Sequence, residues 1–330
     1  MKRRVLAATV VAAAAAAPAS ASAAKIEITG STPTITYTAR GGEVNALRMS
    51  GTVGGGPDLR MAFFEYSAPL FAGRGCATGF PTVCGEVSGA FPVDASLGDK
   101  NDVAYLNSFT SELQLDAGPG DDDVLAGGVN ATGDGGSDDD TVIVAASGLA
   151  TGNGGPGRDR VTGGLGAVAA ILTGGLSGDL LVPDGSLFDR ATGGPGNDRI
   201  VSYTGSDVTL SGQAGSDVLV TPTGRSSTRR VLDGGSGSDV VVTHLGAATV
   251  DGGTGSDVID VRGGAETAPD TVTCDAGSDV VWADAGDAVA ADCETVLRDG
   301  TPPVFRKAQT ADAAAQALLA HRPDPAAANH

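Results

Sequence analysis

The chain has 330 residues, of which 51 are Gly and only 4% are aromatic, so a large core filled by Phe, Tyr and Trp is excluded. Forty acidic residues against 21 basic ones leave a net charge of −19. That balance argues against a nucleic-acid partner or an anionic membrane surface, both of which need cations on the protein, and favours cation binding.

Residues 1–23 read as a secretory signal peptide. Lys2, Arg3 and Arg4 form a basic start, Val5–Ala17 an apolar stretch too short to span a bilayer, and Ala21-Ser22-Ala23 a cleavage site near Ala23. No later stretch is apolar enough to predict a membrane span, and the expected location is extracellular. In that compartment four Cys predict two disulfides. Three connectivities are open. The local one, Cys76–Cys84 with Cys274–Cys293, is favoured because each pair flanks its own segment. Zinc is disfavoured, because His244, His321 and His330 are scattered.

Residues 24–96 form a block with predicted strands at Ile26–Thr29, Thr34–Thr38 and Met61–Tyr66 and a Gly-rich turn at Gly54–Gly56. With no His and no nucleophile motif, it predicts an N-terminal β-rich cap, not a catalytic domain. A cap is needed because an open first coil would expose strand edges.

Residues 97–294 are repetitive. Gly154–Thr162 (GGPGRDRVT), Gly193–Val201 (GGPGNDRIV), Gly234–Val242 (GGSGSDVVV) and Gly252–Asp260 (GGTGSDVID) all fit G-G-x-G-x-D-x-U-x, with U a large aliphatic. Weaker copies begin at Leu97, Ala117, Gly135, Gly174, Gly212 and Cys274. The sixth positions are Asp102, Asp122, Asp140, Asp159, Asp179, Asp198, Asp217, Asp239, Asp257 and Asp279, separated by 18 to 22 residues. Such a period predicts one coil of a parallel β-solenoid, about ten coils of ~19 residues in an all-β fold. Each coil holds a Gly-Asp loop, a strand through U, a return turn and a second strand. The U column, Val124, Val142, Val161, Leu181, Ile200, Leu219, Val241, Ile259 and Val281, is the predicted thin core.

The acid is biased as well: 33 Asp against 7 Glu. A short carboxylate suits a tight loop held in fixed register. The loop glycines permit close backbone approach and are expected to turn carbonyls near Gly118, Gly120, Gly155, Gly157, Gly194, Gly196, Gly235, Gly237, Gly253 and Gly255 toward a shared point with the Asp. An all-oxygen cage of that kind selects Ca²⁺. Stacked carboxylates about 5 Å apart would repel by roughly 3 kcal/mol per pair at an effective dielectric near 20. The expectation is therefore folding that depends on calcium.

These nonapeptides resemble the RTX, or haemolysin-type, calcium-binding repeats of secreted bacterial proteins, over about Leu97–Trp282. The resemblance implies Ca²⁺ held between successive coils by backbone carbonyls and the ten aspartates. Two departures qualify it. The opposite turn mostly lacks the motif, with Val168 where an Asp belongs and Asp207 in an incomplete loop, so one ion column is predicted. The Sec-type leader also differs from the family's usual export route. The expected function is a non-catalytic, secreted calcium-binding repeat protein with a structural or surface-interaction role. The alternatives are an enzyme stabilised by the array, or a carbohydrate-binding or adhesin module presenting Thr132, Thr151, Thr173, Thr192 and Thr209. Residues 295–330, rich in Ala and Pro, read as a flexible tail in preference to a short helix through Ala311–Ala320.

Overall fold

In the computed structural model the described residues are 24–321, apart from 31–32, 51–58, 68–69, 88–90, 108–111, 165, 204, 222–228, 245, 264–267 and 301–304. The expected signal peptide and the turn at Gly54–Gly56 lie outside them.

Two long sheets run side by side, one of 16 strands and one of 15. Sheet I holds the strands that run into the Gly-rich loops, such as Leu149–Pro156, Phe188–Pro195 and Arg229–Ser236. Sheet II holds the strands that leave after the Asp, such as Arg160–Gly164, Leu180–Asp184 and Val218–Thr221. Within each sheet every coil pairs in parallel with the next. The result is a β-solenoid of about ten coils. A parallel arrangement needs a crossover between paired strands, and here the other sheet supplies it.

The U column lies between the sheets and is fully buried from Val124 to Val281. Sheet I contributes the facing side through Leu115, Leu172, Leu210, Leu232 and Val250. Sheet I strands alternate buried and exposed residues, as expected when one face meets the core and one meets water.

The N-terminal strands extend both sheets. Thr34–Thr38 pairs in parallel with Val93–Ser96 and antiparallel with Lys25–Thr29. Ala46–Ser50 pairs in parallel with Val103–Asn107 and antiparallel with Leu59–Glu65. The first coil therefore has its backbone groups paired on both sheets, and its apolar residues join the same core as the repeats. Cys76–Cys84 and Cys274–Cys293 are both bonded, the local connectivity of the three.

The tail departs from expectation. Phe305–Ala320 is a 16-residue helix, α1, lying on the outer face of sheet II. Ala308, Ala311, Ala315 and Leu318 meet Val182, Val201, Val220 and Val242. The physical reason is the sheet beneath. Leu180-Leu181-Val182, Val218-Leu219-Val220 and Val240-Val241-Val242 are apolar at consecutive positions, so their outer face also needs cover. Tyr203 Oη donates to Asp312 Oδ1 at 2.6 Å, and His321 Nε2 lies 2.7 Å from Asp123 Oδ1, which pins the far end of the helix.

Candidate metal site along the aspartate column

The ten sixth-position aspartates form one column at the start of the sheet II strands. None is more than 3% exposed. Each Oδ1 accepts a hydrogen bond from the backbone N–H of the Asp one coil earlier. Asp140 N–H donates to Asp159 at 2.8 Å, Asp159 to Asp179 at 2.8 Å, Asp179 to Asp198 at 2.7 Å and Asp198 to Asp217 at 2.7 Å. The same bond joins Asp102 to Asp122, Asp122 to Asp140, Asp217 to Asp239, Asp239 to Asp257 and Asp257 to Asp279. Asn45 N–H donates to Asp102 at the first end, and Asp279 N–H donates to Glu294 Oε2 at the last. The column is thus a capped ladder. Charge-assisted bonds to backbone N–H groups offset part of the carboxylate repulsion.

Each Oδ2 is different. In all ten aspartates it is buried without a hydrogen-bond partner. Its surroundings explain the first glycine of the motif. A Cβ on Gly154 would stand 2.5 Å from Asp159 Oδ2 and 2.6 Å from the Gly174 carbonyl oxygen of the next coil. The same pairing recurs at Gly135 (Asp140 Oδ2 and Gly154 O), Gly174 (Asp179 Oδ2 and Gly193 O), Gly212 (Asp217 Oδ2 and Gly234 O) and Gly234 (Asp239 Oδ2 and Gly252 O). On successive rungs the Asp Oδ2 and a glycine carbonyl oxygen of the next coil therefore border the same space beside the glycine. These first-position carbonyls were not among the expected ligands. The pattern held the signal, because a first-position Gly recurs in each of the four complete copies.

The expected carbonyls behave otherwise. The oxygens of Gly118, Gly155, Gly196, Gly235, Gly237 and Gly255 each point along the solenoid, within 2.0 Å of where the next coil's glycine would carry a Cβ. Gly155 has φ +109°, a conformation that glycine alone adopts cheaply. Gly120 and Gly157 instead donate their N–H groups to the carbonyls of Ser137 and Leu176 in the next coil. Gly194 faces Gln213 across sheet I, and Gly253 O accepts from Ala276 N–H at 3.4 Å. These glycines set how closely the coils stack. Among the described residues no group of three or more His, Cys, Asp and Glu side chains converges.

Burial is the first cause of a raised pKa along the ladder. Asp140 and Asp179 are pushed up to about 8, Asp102, Asp122, Asp217 and Asp257 to about 7, and Asp159, Asp198 and Asp239 to about 6. Asp279 is also raised. The ladder hydrogen bonds act in the opposite sense. Carboxylate oxygens without hydrogen-bond partners, beside glycine carbonyl oxygens, are hard donors that fit a divalent cation.

At the opposite turns the ladder has no counterpart in the predicted positions. Val168 is exposed, and Asp207 sits on the outer face of sheet I, 3.7 Å from Arg229. The five threonines do not form one row. Thr132, Thr151 and Thr209 share a register column with Ile171 and Arg190, whereas Thr173 and Thr192 share the next with Asn153 and Ser211. Sequence reasoning also missed three buried charges at sheet I: Asp189, Arg230 and Asp270. Asp189 takes a bond from the Ser202 hydroxyl at 3.3 Å and another from Ser186, and burial pushes it up to about 7. Asp189 and Arg230 occupy inward positions of the strand alternation, so the period itself carried that signal.

No family model, no curated protein and no solved structure matches this chain.

Proposed function

We propose that the chain is a secreted, non-catalytic calcium-binding repeat protein of the haemolysin type, in which one column of Ca²⁺ ions neutralises the aspartate ladder. The observation that carries this reading is the ten buried Oδ2 atoms without partners, paired over much of the column with a glycine carbonyl of the next coil. Two acceptors facing each other repel, and a shared cation reverses the sign of that contact. Asp140, Asp159, Asp179, Asp217 and Asp239, with the carbonyls of Gly154, Gly174, Gly193, Gly234 and Gly252, are the residues that would hold the ions. Calcium would supply counter-charge and cross-link adjacent coils, giving a structural role outside the cell. The Lys2-Arg3-Arg4 start and the apolar stretch that follows it support secretion.

The test is calorimetric titration of calcium into the metal-free chain, with circular dichroism in parallel. Several ions per chain, with a gain in strand signal or melting temperature, are expected. No calcium heat and an unchanged melt would remove the reading.

A further inference from the structure

Beside the ladder lies a feature that calcium binding does not use. Two adjoining cavities run along the seam between α1 and the Asp edge of sheet II. One, of about 380 Å³, is lined by Asn197, Arg199, Ser216, Arg306, Lys307 and Thr310 among others. The second, of about 290 Å³, is lined by Asp139, Arg158, Arg160, Arg199 and Thr310 among others. They share Arg199 and Thr310, so they form one groove. Five cations line it in a chain of net charge −19.

Inside the molecule these cations are only weakly engaged, Lys307 alone acting on a ladder carboxyl, that of Asp239. Among the described residues, Arg158, Arg160, Arg199, Arg306 and Lys307 form no ion pair with an acid. Asp159, Asp179 and Asp198 also border the groove, but they are buried and their Oδ1 atoms are taken by the ladder. Burial dominates their shifts, and none of the arginines is among the charges acting on them. The one exposed carboxylate, Asp139, accepts the backbone N–H of Arg158 at 2.9 Å. Arg306 and Lys307 also stand in the first turn of α1, which has no acid. The N-terminal end of a helix carries partial positive charge, so two further cations there are unfavourable unless an anion joins them.

We propose that this groove binds an acidic polysaccharide, laid along the solenoid axis. The length of the charge array favours a polymer over a single small anion. Arg160 and Arg199 share one register column with Leu180 between them, two rungs or about 10 Å apart. The lining chooses among polymers. Asn197, Ser216 and Thr310 offer amide and hydroxyl groups suited to a hydroxylated chain. No aromatic ring lines either cavity, so bases would have nothing to stack on. Sheet II is paired on both sides at these coils, so no strand edge is open to an acidic peptide. The proposal is independent of the calcium reading.

The test uses the full disulfide-bonded chain and three probes: dextran sulfate, oligogalacturonate and uncharged dextran. Binding is measured in calcium-containing and metal-free buffer. At least one acidic glycan is expected to bind and dextran not to. Arg199→Glu with Arg306→Glu should weaken that binding at least tenfold and reduce its salt dependence, whereas Arg229→Glu, on sheet I, should leave it unchanged. Sulfated against carboxylated preference identifies the acidic group. If the double variant melts early, the exposed Arg160→Gln replaces it, with about a threefold loss expected. Failure of both acidic glycans to bind, equal losses in the Arg229 variant, or tighter binding of an oligothymidylate would overturn the proposal. Calcium titration without any glycan reports on the ladder alone, so the two readings fail separately.

Discussion

At the scale of a residue, each ladder aspartate performs two separable tasks. Its Oδ1 satisfies a buried backbone N–H of the neighbouring coil, and its Oδ2 presents a charge beside a carbonyl. Asp159 allows the two to be pulled apart. In Asp159→Asn the side-chain oxygen still accepts from Asp140 N–H, and the new amide N–H₂ takes the place beside Gly174 O. A buried charge beside a carbonyl oxygen is replaced by a neutral amide able to donate toward it. The metal-free variant should therefore melt higher than the parent at pH 8, while its calcium heat falls by the ions that Asp159 serves. Asp159→Ala removes both functions and leaves Asp140 N–H unpaired in the interior. A loss of about 1–3 kcal/mol is expected, measured by urea unfolding in metal-free buffer. Equal destabilisation in the Asn and Ala variants would mean that the carboxylate charge, and not the acceptor, holds the coils together.

At the scale of an element, the coil and the terminal helix show what a sequence makes legible. The 18–22 residue spacing of the aspartates placed them in one column, and the aliphatic residue two positions later placed the core, because both repeat with the coil. The ladder bonds were not legible, since they depend on how far one coil sits above the next, a distance set by backbone contact between glycines. The helix was missed for another reason. Ala-rich composition gave Ala308, Ala311 and Ala315 little apolar weight of their own. The decisive signal lay elsewhere, in the uninterrupted Val240-Val241-Val242 and its neighbours, which demand cover on both faces. Stopping the chain after Arg298 should therefore keep the strand signal and expose Val182, Val201, Val220 and Val242. Increased binding of a hydrophobic dye and self-association in sedimentation are the expected results. Leu318→Ala should act in the same direction, by roughly 2 kcal/mol or more.

At the scale of the whole molecule, the ladder makes stability depend on pH in a direction unusual for an acidic protein. Burial raises nine of the ladder carboxyls to about 6 to 8 in the folded state, against an ordinary 3.8, and raises Asp279 as well. Between those limits the folded, metal-free chain holds protons that the unfolded chain releases. Its stability is fully present below about pH 4 and is lost as pH rises through 6 to 8. On the proposed calcium reading the ion would invert this, since it would occupy the Oδ2 side of the column only when the protons have left. The ion should raise the melting temperature strongly at pH 8, weakly at pH 6 and not at all near pH 4. Thermal melts in metal-free and calcium-containing buffer across that range provide the measurement. A metal-free chain that grows more stable from pH 5 to pH 8 would show that the buried carboxylates are already neutralised by the fold, and that the array needs neither proton nor ion.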